Sequence, residues 1–447
     1  MRHSGRSLDH KWSRKVATTA VVCDSAAAGA VRTAFRPLGK SGMSFFYGWV
    51  IVAVGIVVSC IGMGGVMSLG VFLEPMADTL GWSRAGISTA STLAFLWMGV
   101  GGFLWGCLYD RYGARVVVFF GGLLQGLGLV VASQTQSLPV FLAVYGTAAG
   151  LAAGAVYVPL TAATTSWFTR HRSLAVSLVS AGLALGTTLM APLSRWLIVA
   201  HDWRFAMLTL GFIAWAVILP AALLLRPAPA ADDRPAANPS DTGVAKADMT
   251  VRQALKTPVF WILSLANFAC CAAHSGPLFH MVSYAAYCGV APLTAAAVLG
   301  AAGLAALSGR IICGLIADRT GAKRTLVACL ALQAIAIALY VLAHDLDTLY
   351  AVSALFGFSY GGAMPLYAIL VREHFPAKIM GSVFGIVAMI AALGMALGPP
   401  VGGWLFDRLG GYGWLYIASS AIGIAAALMA MTLRPRRPRL VVLAAAA

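Results

Sequence analysis

The 447 residues are 60% hydrophobic and only 10% charged, against roughly a quarter charged in soluble domains, so water is not this chain's solvent. A formal net charge of +16 suits a nucleic-acid binder in magnitude, but its placement excludes one. With both termini set in the cytoplasm, only Arg84, Arg204 and Arg408 of the 31 Lys and Arg fall outside, and only Arg195 and Arg310 fall within apolar spans; this is the positive-inside bias, and it reports topology and contact with anionic lipid.

Residues 1–46 form a basic tail expected to be disordered. Its first 42 residues carry eight basic and two acidic side chains and no long apolar run; they are either a translated tail or lie upstream of a true initiator at Met43. Twelve apolar stretches follow, each long enough to cross a hydrocarbon core of roughly 30 Å as a helix. The first six are placed at 47–73, 87–108, 116–134, 138–163, 174–199 and 204–225. The second six are placed at 259–284, 293–315, 325–343, 348–371, 380–405 and 413–432. The expected fold is therefore an all-α membrane protein with two six-helix halves, 47–225 and 258–433, and both termini cytoplasmic. Between the halves, 226–257 opens on Arg226-Pro-Ala-Pro-Ala-Ala-Asp-Asp and reads as a flexible linker. Thr250 can cap a short surface helix, Val251 to Lys256, before Thr257-Pro258. Residues 434–447 are a basic and apolar tail.

One element occurs twice. Gly106-Cys-Leu-Tyr-Asp110-Arg111-Tyr-Gly113-Ala-Arg115 follows the second span, and Gly314-Leu-Ile-Ala-Asp318-Arg319-Thr-Gly321-Ala-Lys323 follows the eighth, 208 residues later. Gly106 and Gly314 allow close helix approach. Asp110 and Asp318, at helix ends, can pair with guanidinium groups or meet the N-terminus of another helix. Gly113 and Gly321 permit a sharp turn. A tight loop with solvated charges explains one copy but not two at matching points.

Both copies resemble the loop motif of the major facilitator superfamily, over about residues 45–433. The resemblance implies a conformational latch in alternating access, made by the ten motif residues named above. Further pieces in chain order are Tyr47-Gly48-Trp49, Gly70 to Glu74, Gly81-Trp82-Ser83-Arg84, Trp167 to Arg170 and Gly357 to Gly362. Together these resemble the monocarboxylate transporter and oxalate/formate antiporter branches.

Arg310 stands eight residues, about 12 Å of helix, before Asp318, near the bilayer centre. A cation there costs roughly 3 kcal/mol on insertion scales, so it should face protein or a water-filled cavity. Its spacing is similar to that of the arginine that binds substrate carboxylate in monocarboxylate transporters, a task that a guanidinium fork suits. The bland alternative is a structural arginine tied to backbone carbonyls. His274 and His280 flank Ser275-Gly276-Pro277, which should kink the seventh span. The resemblance implies a substrate-facing histidine at His280 and hydroxyls from Tyr157 and Tyr360; packed side chains are the alternative for all three. Arg195 sits near the end of its span and is expected to snorkel.

All fifteen acidic residues fall in loops, tails or span ends, which leaves no midplane proton carrier. The lysine and aspartate usual in monocarboxylate transporters are replaced by Met67 and Ala306, and 380–405 lacks the lysine of oxalate-type antiporters. One buried cation favours one carboxylate. The expected cargo is thus a small organic monoanion, moved with a proton or against a counter-anion, in a multi-pass protein of bacterial inner-membrane type. The eight cysteines show no ligand spacing, and neither a metal nor a cofactor motif, nor an enzyme's nucleophile and base, is legible. Two alternatives remain: a proton-driven exporter of amphipathic compounds, whose GxxxGPxxGG pattern is matched best at Gly394–Gly403, and a non-transporting carboxylate sensor.

Overall fold

The computed structural model describes residues 46–228 and 249–433; the readings of the N-terminal tail to residue 45, of linker residues 229–248 and of 434–447 lie outside the described residues. Eleven helices among the described residues are long and apolar enough to cross a membrane. In the first half, α1 (Gly48–Met67) and α2 (Leu69–Leu80) make one broken span. They are followed by α3 (Arg84–Ser133), α4 (Leu138–Trp167), α5 (Arg172–Ala200) and α6 (Trp203–Leu223). A short helix, α7 (Val251–Leu255), precedes the second half; Thr250 and Gln253 close a capping box at its start. The second half contains α8 (Pro258–Tyr287), α9 (Pro292–Thr320), α10 (Ala322–Leu339), α11 (Leu346–His374), α12 (Met380–Leu409) and α13 (Gly413–Thr432).

The two spans read from sequence, 87–108 and 116–134, both lie in α3, whose 50 residues are two helices joined across a kink at Gly113. Those 50 residues are more than twice the roughly 20 that one hydrocarbon crossing needs. Gly113 interrupts them with φ 80 and ψ 172, a conformation that essentially only glycine adopts. Gly321, at the matching loop, has φ 93 and separates α9 from α10.

The first span breaks at Ser68, whose hydroxyl donates back to the Gly64 carbonyl at 2.7 Å. Two carbonyls near the break are served from elsewhere. Gln125 Nε2 of α3 donates to Gly62 O at 2.6 Å, and the Tyr145 hydroxyl donates to Val66 O at 2.9 Å. Tyr145 itself belongs to an eight-residue π-helical stretch of α4 (Leu142–Ala149). Backbone groups freed by a break cannot turn to lipid, so buried side chains must satisfy them.

Glycines set the packing of α9 on α11. A Cβ at Gly309 would collide with the Phe358 carbonyl, one at Gly357 with that of Ala302, and one at Gly361 with that of Ala306. Backbone atoms cannot move aside cheaply, so Gly361→Val should destabilise the second half by about 3 kcal/mol. Thermal unfolding in detergent would reveal this, and an unchanged midpoint would show that the helices separate freely.

Candidate functional site

The duplicated loop elements carry out one contact twice, each time across the two halves. The backbone N–H groups of Gly381 and Ser382, in the first turn of α12, donate to Asp110 at 2.8 and 2.7 Å, and the Ser382 hydroxyl adds a third bond at 2.5 Å. The N–H groups of Ser173 and Leu174, in the first turn of α5, donate to Asp318 at 2.8 and 3.1 Å. Residues 173 and 174 precede 381 and 382 by the same 208 positions that separate the two aspartates. A carboxylate here satisfies the orphan N–H groups of a helix start and meets its positive dipole end. Gly106 and Gly314 permit the approach: a Cβ at either would strike Gly381 O or Ser177 Oγ. The motif's basic residues act elsewhere. The Arg111 guanidinium lies 5.3 Å from the Tyr112 ring centre, Arg115 and Arg319 are exposed, and Lys323 donates to Met431 O at the end of α13.

The halves are thus clasped on the face that carries the motifs. Towards the opposite face they part around a cleft of about 280 Å³, with Leu69, Leu73, Thr92, Phe95, Phe279 and Met395 in its walls. Phe95 of α3 and Phe279 of α8 meet edge to face there, 6.2 Å apart.

Arg310 of α9 is 6% exposed. Its Nη1 crosses to the first half and donates to the Ser180 carbonyl of α5 at 2.9 Å. Its Nε is buried without a hydrogen-bond partner, and among the described residues no Asp or Glu pairs with it. One backbone carbonyl therefore satisfies one edge of the guanidinium. The side-on fork of Nε and Nη2, the edge that takes a carboxylate through two parallel bonds, is left over.

Tyr157 of α4 lies near this cation, and Tyr360 of α11 is linked to it through His274. The Tyr157 hydroxyl lies against the Ser180 side chain and within electrostatic range of Arg310; it reaches Met364 O at 3.4 Å, and its ring meets Phe384 edge-on at 5.8 Å. Tyr360 stacks on the His274 imidazole with centres 5.1 Å apart. His274 is 2% exposed, interacts electrostatically with Arg310 and holds Cys270 O through Nδ1 at 2.8 Å.

His280, expected at the site, is placed differently. Six residues further along α8, about 9 Å, its ring packs on Gly402 of α12 and lies 5.5 Å from the Tyr412 ring centre. His274 is the histidine that the structure brings to Arg310. Ser180 was not singled out from sequence, and nothing about a serine in an apolar span would have marked it. Ala306, where the family resemblance implies an aspartate, is fully buried against Gly361. Arg195 is exposed. Among the described residues no His, Cys, Asp and Glu cluster is fit to hold a metal.

A bundle of apolar helices that encloses a buried cation between repeat-related halves has the architecture of a secondary carrier. The chain belongs to the Major Facilitator Superfamily, whose sequence profile matches residues 52–321 and 276–446. It is 26% identical over 389 residues to monocarboxylate transporter 13 of Rattus norvegicus, covering 87% of this chain and 89% of that one. It is 28% identical over 400 residues to monocarboxylate transporter 11 of Mus musculus, covering 87% of each. In fold it is similar to the proton:xylose symporter XylE, with a TM-score of 0.69, 14% identity and coverage of 87% and 96%. It is similar too to FucP in its outward conformation, with a TM-score of 0.65, 15% identity and coverage of 86% and 98%. The transporters named by sequence come from animals and fungi, so they lend no support to a bacterial inner membrane; an integral multi-pass membrane protein is what stands.

Proposed function

We propose that this chain carries small organic monoanions, monocarboxylates, across the membrane by alternating access, with Arg310 binding the carboxylate. The observation that carries this reading is the unused side-on fork of a buried arginine that no acid among the described residues neutralises. A buried cation without a counter-charge is costly, and a single bound carboxylate offsets that cost. His274 and Tyr360 would flank the anion on one side, and Tyr157 and Ser180 on the other. The monocarboxylate transporters to which the chain is similar support the same cargo. Counting the two arms of α3 separately, the chain would cross the membrane twelve times, with halves 47–225 and 258–433 and both termini cytoplasmic. The motif face is then cytoplasmic, and the clasped state with its outer cleft is outward-facing. Lipid and the anion are the partners of this reading, which is that of a carrier and not of an enzyme.

Uptake of labelled short monocarboxylates by proteoliposomes, with dicarboxylates and cationic drugs as controls, tests the cargo. Saturable uptake of the cations alone would replace this reading with the exporter, and binding without uptake would replace it with the sensor. The empty site would have to reorient with Arg310 uncompensated, so loaded reorientation should be the faster step. External unlabelled anion should accelerate efflux of internal labelled anion by about tenfold. Absence of acceleration, together with strong accumulation driven by a proton gradient, would show that another group neutralises the empty site.

A further inference from the structure

Gln333 of α10 is fully buried, and the proposed anion contacts do not include it. Its Nε2 donates to Cys270 O at 3.3 Å, and its Oε1 accepts from Cys270 Sγ at 3.6 Å. Both ends of the amide are thereby spent on one residue of α8. The same Cys270 carbonyl is the partner of His274 Nδ1. A carbonyl only accepts, so Nδ1 must carry a proton, and in the neutral imidazole the lone pair is left on Nε2. Pro277 lacks the N–H that would close the helical bond to Ala273 O, so the turn that carries His274 draws support from outside its own helix.

The first half supplies a comparison. Gln125 occupies the position 208 residues before Gln333 and donates to Gly62 O, 208 residues before Cys270. There the amide only braces a helix. Its Oε1 finds no partner, because glycine offers no thiol, and Val66 stands at the place matching His274.

We propose that Gln333 is a positioning residue of the anion site, one that fixes the Cys270 carbonyl and through it the tautomer and seat of His274 beside Arg310 and Tyr360. This rests on the reading of the site given above. It makes the bare Nε2, and not an N–H, the atom that His274 presents when neutral.

The test is nitrogen NMR of ¹⁵N-histidine-labelled protein in nanodiscs, with the His274 signals assigned by their loss in His274→Gln. The wild type should show a protonated Nδ1 and a bare Nε2. Gln333→Leu should show a mixture of tautomers, and Gln125→Leu should keep the wild-type pattern. Gln333→Met, which retains length and volume but cannot donate, should match Gln333→Leu and stands in for it if that variant fails to fold. In exchange assays Gln333→Leu should raise KM about fivefold with turnover kept within about twofold, while Gln125→Leu leaves KM unchanged. An unaltered His274 pattern in both Gln333 variants, or equal KM effects in the two glutamine positions, overturns the proposal. If wild-type protein moves no anion, the cargo reading has failed, and the NMR comparison still decides the role of Gln333.

Discussion

Arg310→Gln should abolish saturable monocarboxylate uptake, and Arg310→Lys should do nearly the same, while both variants reach the membrane in normal amounts. The guanidinium now spends Nη1 on Ser180 O and keeps the Nε edge unused. Lysine restores the charge but not the two parallel donors. Losing a charged, desolvated pair costs about 3 kcal/mol, or roughly a hundredfold in affinity. Folding should not suffer: Gln removes a buried charge that no described acid neutralises, and Lys keeps a charge that the fold already tolerates. Uptake assays with surface-expression controls decide the matter. Wild-type affinity and rate in Arg310→Lys would mean that Arg310 is structural.

Asp110→Asn and Asp318→Asn should slow turnover about tenfold while leaving equilibrium anion binding largely intact. Each aspartate holds the first turn of a helix in the other half, through charge-assisted bonds of about 1.5–3 kcal/mol apiece. Asparagine keeps the shape and one acceptor but loses the charge. The clasped state is then disfavoured, and the populations shift towards opening on the motif face. Asp110 accepts three bonds and Asp318 two, so Asp110→Asn should have the larger effect. Spin-label distances between α3 and α12 on the motif face, measured on the same purified protein as binding, provide the readout. Loss of affinity in step with rate, at unchanged distances, would place the aspartates in binding and not in gating.

Much of this arrangement is legible in the sequence because a membrane leaves few choices. Apolar length marks the crossings, and a lone Arg310 among aliphatic residues must be turned inwards. The duplicated Gly-Asp-Arg-Gly element marks matching points in two halves. Rotation about a helix axis is much harder to read. His274 and His280 differ by six residues, and only the packing of α8 between α11 and α12 decides which of them meets Tyr360. For Asp110 and Asp318 the sequence leaves open a guanidinium or the N-terminus of another helix and does not mark which helix, since backbone N–H groups at a helix start carry no residue signature. Gln125 and Gln333 offered a usable signal: two buried amides in apolar spans, 208 residues apart, each needing a partner.

The glycines beside the clasps have a mechanical consequence. Where Gly106 meets Gly381 and Gly385 meets Gly102, backbone rests on backbone, with the edge of the Tyr109 ring and the Asp110 carboxylate beside Gly381. Meshed helices are held in discrete registers by their ridges, whereas these surfaces form a plain bearing. One half can roll over the other there with few side chains to unlock, so at this end of the bundle the two aspartates are the chief catches, the points where loading of the site can shift the balance.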